Sequence, residues 1–482
     1  MAVRTLPAHP SLEQYKKQAK ELLKACNSGD PETLRRMKDY QRLGTAKVTL
    51  ADAQFVLARE HGFESWPKFA KHIEGLRGEL SPAAVWRRAE SAMIAGDVTT
   101  LESLLRDYGE VIRGHHPSHD DDYLAPDYKA GDAQEIIVDT HHFETWDQFA
   151  ALAESLKDRN SPIARFEAAV DAIVSGEVAT LEKLLHRDPE LIRARSTRKH
   201  HSMLLHYVGA NGVEYFRQRT PKNAVQIAEV LLGAGAEVDA SADMYGGTTT
   251  LGLVATSIHP AKAGVQGPLI DLLLDHGASL EGSVAPDYTD GRLVNACLAN
   301  GRGEAAEFLA NRGAPLDLEG ASGVGRLDIV KSFFDAGGSL KSSAATAQMR
   351  RGFARACGYG RTHVVEFLLD LGMEVDAPLP HDGICHGHTA LHVAAFGGHA
   401  DTVKALLNRK ASVDVKDEAF GTAPLSWALY AWSNEPGTEP PSRYYQVVAL
   451  LVAAGAKVDG LAGEKVRADP KMLAALSGEQ QG

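Results

Sequence analysis

From about residue 220 onward the chain repeats one order of residue types. An apolar run with helical spacing is followed by a glycine or small-residue turn, then by a short stretch that alternates apolar and acidic positions. Seven segments follow it: AEVLLGAGAEVDA, IDLLLDHGASLEG, AEFLANRGAPLDL, VKSFFDAGGSLKS, VEFLLDLGMEVDA, VKALLNRKASVDV and VALLVAAGAKVDG. Their turn positions are Gly235, Gly277, Gly313, Gly337, Gly372, Lys410 and Gly455. Successive turns lie between 24 and 45 residues apart, a scatter around a period of about 33. Paired apolar residues such as Leu231 and Leu232, or Leu272 and Leu273, mark the buried face of a short helix. The glycine takes the left-handed conformation that ends such a helix at low cost. The tail after it alternates in and out like a short extended strand. One such unit cannot bury its apolar face alone, so neighbours must stack.

A second repetition occupies the first two hundred residues. LADAQFVLAREHGFESWPKFAKHIEGL, from Leu50, recurs as AGDAQEIIVDTHHFETWDQFAALAESL, from Ala130. Asp52, Gln54, Phe63, Trp66 and Phe69 return as Asp132, Gln134, Phe143, Trp146 and Phe149, each 80 positions later. SGDPETLRRM near Gly29 recurs as AGDVTTLESLL near Gly96 and SGEVATLEKLL near Gly176. These read as helices opened by a small residue and an acid, which favours a helix N-terminus. Thr49 and Ser65 are the expected N-caps, and Trp66 and Trp146 are expected in the core.

The best-formed unit, GHTALHVAAFGGHADTVKALLNRKASVDVKD (Gly387 to Asp417), closely resembles the ankyrin repeat. Thr389, Leu391, His392, Ala394, Ala395, Gly398 and His399 match that family's pattern, and Ala390 stands where the family usually has proline. Other units are looser: MLLHYVGANG keeps Leu205, His206 and Gly212, and GTAPL keeps Pro424 and Leu425. The resemblance implies an all-α fold, a solenoid of stacked helix-turn-helix units with short hairpin-like connections. It also implies that His392 hydrogen-bonds the turn between repeats. The expected array covers residues 198–463, with a polar cap and tail over 464–482. Helical units over 1–80 and 81–197 resemble the degenerate ones found ahead of ankyrin arrays in bacterial proteins. Three repeats carry insertions between their helices, Gly212 to Gln226, Ser257 to Pro268 and Trp432 to Gln446. They read as solvated variable loops, or as part of a recognition surface.

Composition then narrows the function. Apolar residues make up 44% of the 482 positions, and no stretch has the length and apolarity of a membrane span. No apolar leader follows the N-terminal methionine, and Cys26, Cys297, Cys357 and Cys385 show no paired spacing, so a cytoplasmic location is expected. The formal net charge is −12, against both nucleic acid and anionic lipid as partners. A helix pair joined by His61 to Ser65 could pass for a DNA reader. Yet from Thr49 to Gly78 Arg59, Lys68, Lys71 and Arg77 are cancelled by Asp52, Glu60, Glu64 and Glu74, and the second copy is acidic.

Catalytic motifs are missing from the sequence: no phosphate loop, no nucleophile elbow, no zinc-protease histidine pair. Two histidine-rich strips, HHPSHDDDY (His115, His116, His119) and HDGICHGHTALH (His381, Cys385, His386, His388, His392), offer close spacing without convergence. No metal and no cofactor are expected. His200, His201, His206 and Tyr207 lie together, but no nucleophile or second carboxylate accompanies them at a matching repeat position.

In proteins resembling this one, hairpin tips and inner helices line a concave groove that binds other proteins. The corresponding variable positions are Asn211, Tyr245, Thr248, Asn300, Tyr359, Cys385, His386, His388, Phe396, Phe420 and Tyr430. The expectation is a non-catalytic, monomeric protein-binding scaffold. The competing expectation is a small-ligand binder or enzyme built on the insertions.

Overall fold

The computed structural model describes residues 12–40, 48–79, 82–113, 133–281, 292–342, 344–380, 387–434, 442–458 and 464–478. The chain divides into two compact units, Met1–Phe149 and Ala150–Gly482.

The first unit is built from helical pairs: Leu12–Asn27 with Pro31–Asp39, Leu50–Glu60 with Trp66–Glu79, and Pro82–Ala95 with Val98–Arg113. Helix Ala133–Thr140 leads into Trp146–Ser155, within which the boundary falls. One turn recurs in every pair. The N–H of Asp30, Phe63, Asp97 and Phe143 donates to the carbonyl five residues back, at 3.1, 2.9, 2.9 and 2.9 Å. The residue before each donor, Gly29, Gly62, Gly96 or His142, has positive φ, the αL geometry that satisfies orphan carbonyls at a helix end. Gly96 is also sterically required, because a Cβ there would lie 2.5 Å from the Phe149 ring. Thr49 forms a capping box with Asp52, as its N-cap role requires. Trp66 and Trp146 are only half-buried, each packed against the phenylalanine three residues on, at 5.7 and 5.2 Å between ring centroids.

The second unit opens with one more such pair, Pro162–Ser175 and Val178–Arg187, turned at Gly176. Seven repeats follow among the described residues. Their inner helices are Leu204–Gly209, Thr250–Thr256, Leu293–Ala299, Leu318–Val324, Thr346–Gly358, Ala390–Phe396 and Pro424–Asn434. Their outer helices are Ala224–Gly233, Gln266–Asp275, Gly303–Asn311, Leu327–Ser332, Thr362–Asp370, Ala400–Asn408 and Arg443–Ala453. Inner helices of successive repeats pack side by side, and helix Pro470–Ser477 packs on the last outer helix. Six of the outer helices end in the turn seen in the first unit. Ala236, Ala278, Ala314, Met373, Ala411 and Ala456 donate five residues back, at 2.9–3.1 Å, behind Gly235, Gly277, Gly313, Gly372, Lys410 and Gly455.

Four expectations are corrected. The first inner helix, Leu204–Gly209, is a 3-10 turn. In the fourth repeat the left-handed residue is Gly338, not Gly337: the outer helix stops at Ser332, and a bridge between Phe334 and Leu340 makes the turn. Ladder pairing of two residues is confined, among the described residues, to Ser241–Ala242 with Thr248–Thr249. Finally, the first two insertions are packed inward in part and not wholly solvated. Val213, Glu214 and Arg217 are buried, and the second insertion forms helix Ile258–Lys262 and buries Gln266, whose Nε2 donates to the Val254, Ala255 and Ser257 carbonyls. Of the third, Trp432 is buried, and residues 435–441 lie outside the described ones.

Two apolar clusters fill this unit among the described residues. One runs from Phe166 to Ala314, the other from Leu318 to Ala475, and half-buried Leu316 touches both. The seam between them is polar. Asp317 accepts from Asn295 (3.0 Å) and Gln348 (3.3 Å), and buried Glu319 is held by Arg351 and Arg355. Each cluster encloses a free thiol on an inner helix: Cys297, which burial pushes up to about 12, and Cys357, likewise raised by burial.

Candidate functional site

The sixth and seventh repeats show how the frame presents side chains. Thr389 caps its helix, and its N–H donates to His392 Nδ1 (3.0 Å). His392 Nε2 then reaches the Thr422 carbonyl of the next repeat (3.2 Å). These partners assign the neutral tautomer with the proton on Nε2, and burial lowers the His392 pKa. The role implied by the resemblance is therefore present. His206 repeats it in the first repeat, between the Met203 N–H (3.0 Å) and the Ala240 carbonyl (2.9 Å), and burial brings it down to about 4.

Beside His392, Asp417 organises the connection into the last repeat. Its carboxylate accepts from the N–H groups of Phe420 (2.6 Å) and Thr422 (3.0 Å), the Thr422 hydroxyl (2.6 Å) and Trp427 Nε1 (3.2 Å). Burial would raise this carboxyl, but those donors hold it at about 2. Trp427 is thereby fixed as a platform. His388 stacks on it at 5.7 Å, and Phe396 meets it edge-on at 5.9 Å. Phe396, Phe420 and Tyr430 remain 47%, 63% and 64% exposed.

The other candidate positions divide. Asn300 is exposed, its side chain folded back on the Ala296 carbonyl. Asn211 and Tyr245 are half-buried and bonded to each other (2.9 Å). Tyr359 is half-buried, its hydroxyl donating to the Leu298 carbonyl (2.6 Å), and burial raises it to about 12. Thr248 and His388 were expected at exposed variable positions; both are buried, Thr248 in the short strand pair and His388 under Trp427. Cys385 and His386 lie outside the described residues, as do His115, His116, His119 and His381.

Sequence reasoning missed a buried charge cluster under the first repeat. Arg198 grips Glu167 through both Nη atoms and also pairs with Glu214. Arg217 reaches Glu167 (2.7 Å), Glu214 (3.1 Å) and Asp171 (2.8 Å). His200 stands 3.7 Å from Glu214, so two carboxylates do accompany the histidines. Burial alone would raise the Glu214 carboxyl, but Arg198, His200 and Arg217 hold it well below the usual carboxylate range. The charges are matched two to two, with Asp171 at the edge. The cluster fastens the first insertion to helix Pro162–Ser175. The available signal was Glu167 inside the apolar stripe of Phe166, Val170 and Ile173, a position that demands a buried partner.

Among the described residues no group of three or more His, Cys, Asp or Glu side chains converges on a metal position, and no helix is long and apolar enough to cross a membrane.

A family model described as ankyrin repeats (3 copies) matches residues 318–417 and again 353–462. Inversin from Gallus gallus is 42% identical over 65 residues, 14% of this chain and 6% of that protein. Inversin from Danio rerio is 38% identical over 68 residues, again 14% and 6%. The chain thus spans about 6% of the length of these curated relatives. The solved ankyrin repeat domain of human ASB11 aligns at 19% identity and a TM-score of 0.31, covering 58% of this chain and 96% of that one. With its inner and outer helical rows, the fold is an all-α ankyrin-repeat solenoid.

Proposed function

We propose that this chain is a non-catalytic protein-binding scaffold whose partner docks on the inner-helix face of the last repeats. One observation carries the reading: Phe396, Phe420 and Tyr430 stand exposed around the tethered Trp427. Aromatic anchors of this kind dominate protein-binding hot spots, and prior immobilisation of Trp427 lowers the cost of ordering an interface. The inward packing of the first two insertions supports this reading over a small-ligand site built on them. A monomeric state, a cytoplasmic location, a bacterial-type origin of the helical units and array limits at 198 and 463 complete the proposal. The test is affinity capture from extract of the producing cell, quantified by mass spectrometry, with the natural chain and an F396A/F420A/Y430A variant as baits. One or two proteins should be retained by the natural chain and lost by the variant. Equal recovery on both baits removes the face from consideration.

A further inference from the structure

We infer that Tyr359 and Arg361 form a clasp that locks the array across a hinge between the third and fourth repeats. In a solenoid each repeat contacts its neighbours alone. Three side chains near the turns between inner and outer helices follow that rule. Arg302 Nε donates to the Thr256 carbonyl (3.3 Å), His399 Nε2 to the Gly358 carbonyl (2.8 Å) and the Tyr444 hydroxyl to the Phe396 carbonyl (2.8 Å), each one repeat back. Arg302, Arg326, Arg361 and His399 occupy the same position, directly after a left-handed glycine. The fourth repeat breaks the series, because Arg326 turns onto Asp328 of its own repeat (3.2 and 3.1 Å). The fifth repeat reaches past it. The Tyr359 hydroxyl donates to the Leu298 carbonyl of the third repeat (2.6 Å), 61 residues away. Arg361 donates from Nε to the Gly323 carbonyl of the fourth repeat (3.0 Å) and pairs through Nη2 with Glu307 on the third outer helix, 54 residues away.

The fourth repeat is shaped to let this reach happen. Its outer helix has six residues, against nine to eleven in the others. At Gly323 the third and fifth repeats converge: a Cβ there would lie 2.4 Å from Leu298 Cδ1 and 3.1 Å from Arg355 Cβ. Gly303 likewise makes room for the Tyr359 ring, which a Cβ would meet at 2.6 Å. Tyr359 therefore packs on the first apolar cluster although its own helix belongs to the second. The chain crosses the seam once, through residues 312–317, at the end of the third repeat's helices opposite Leu298. One end of the junction is thus joined by backbone and the other by two side chains. Glu319 ties the fourth repeat to the fifth through Arg351 and Arg355, so with the clasp broken the fourth to seventh repeats swing about residues 312–317 as one body. Phe396, Phe420 and Tyr430 belong to that body, and the clasp sets the angle at which they stand to the first three repeats.

The experiment places spin labels, carried by unnatural amino acids, at exposed Glu229 and Lys404 of the full chain, on either side of the junction. Double electron–electron resonance then reads the distance between the halves. The natural chain should give one narrow distribution. Y359F/R361Q should broaden it about twofold or add a second distance, while circular dichroism shows the helices retained. Y359F alone keeps the ring on Gly303 and removes only the hydroxyl. It should broaden the distribution less, and it decides the matter if the double variant unfolds. H399Q removes a side chain-to-carbonyl bond between the fifth and sixth repeats and should leave the natural width. A broad distribution in the natural chain, an unchanged width in the clasp variants that fold, or equal broadening by H399Q overturns the inference.

Discussion

The two halves of the repeat array use one backbone frame to opposite ends. In the half built around the Phe166–Ala314 cluster, polar side chains turn inward: the Glu167–Arg198–Glu214–Arg217 cluster is buried, and Asn211 and Tyr245 bond to each other. In the half built around the Leu318–Ala475 cluster, the inner face carries aromatic rings outward at Phe396, Phe420 and Tyr430. A register position therefore does not by itself decide exposure. Thr248 is covered by its strand partner, while Phe420 leaves a turn pinned by Asp417 and projects into solvent.

The contrast breaks most sharply at the charge cluster. Arg217→Ala leaves the two buried carboxylates Glu167 and Glu214 to share Arg198 alone and should cost about 3–5 kcal/mol, read as a lowered urea midpoint for the first half. A loss under about 1 kcal/mol would show that water reaches the cluster. Acid provides the next lever. His206 titrates near 4 when folded against 6.5 ordinarily, so the unfolded chain binds the extra proton between those values. The stability due to its neutral form is complete above pH 6.5 and is lost as pH falls through that window. From pH 6.5 to 5 the loss should be about 2 kcal/mol, and His206→Gln should remove it. A pH-independent urea midpoint across that range would contradict the assignment.

The seam sharpens the comparison further. Inner helix Leu318–Val324 contains Gly320 and Gly323, and these two interior glycines weaken it by about 1–2 kcal/mol relative to alanine. Amides of residues 318–332 should therefore exchange with solvent before those of Ala224–Gly233 or Arg443–Ala453, as hydrogen-exchange mass spectrometry would reveal. Uniform exchange across the array would mean that the two clusters open as one. The smallest effects belong to the exposed rings, where F396A, F420A and Y430A should each change stability by no more than about 0.5 kcal/mol. Larger losses in thermal unfolding would place those rings in the core's service instead of a partner's.

Much of the frame was legible in the sequence because it rests on local chemistry. Gly235, Gly277, Gly313, Gly372 and Gly455 each end a helix through a turn spanning only six residues, and Lys410 adopts the same geometry at φ 67° without glycine's freedom. The same local signal at Gly29, Gly62 and Gly96 shows that the N-terminal units share the helix-ending turn of the repeats. The Thr389–His392 cap and its echo at His206 were legible for the same reason. What escaped was the product of long-range meetings. Arg217 finds Glu167 across 50 residues and Glu214 across three, and no periodicity announces the longer pairing. The fate of the insertions, like the burial of Thr248 in the strand pair and of His388 against Trp427, depends on which neighbour folds over which. Spacing carries no record of that.

The buried thiols turn this division into a clock. Cys297 sits in one half and Cys357 in the other, each sealed from solvent on an inner helix. An alkylating reagent can meet either sulfur only while its own half is open. The rate at which each thiol is consumed in the unmodified protein therefore times the opening of its half, and the ratio of the two rates says which end of the array lets go first.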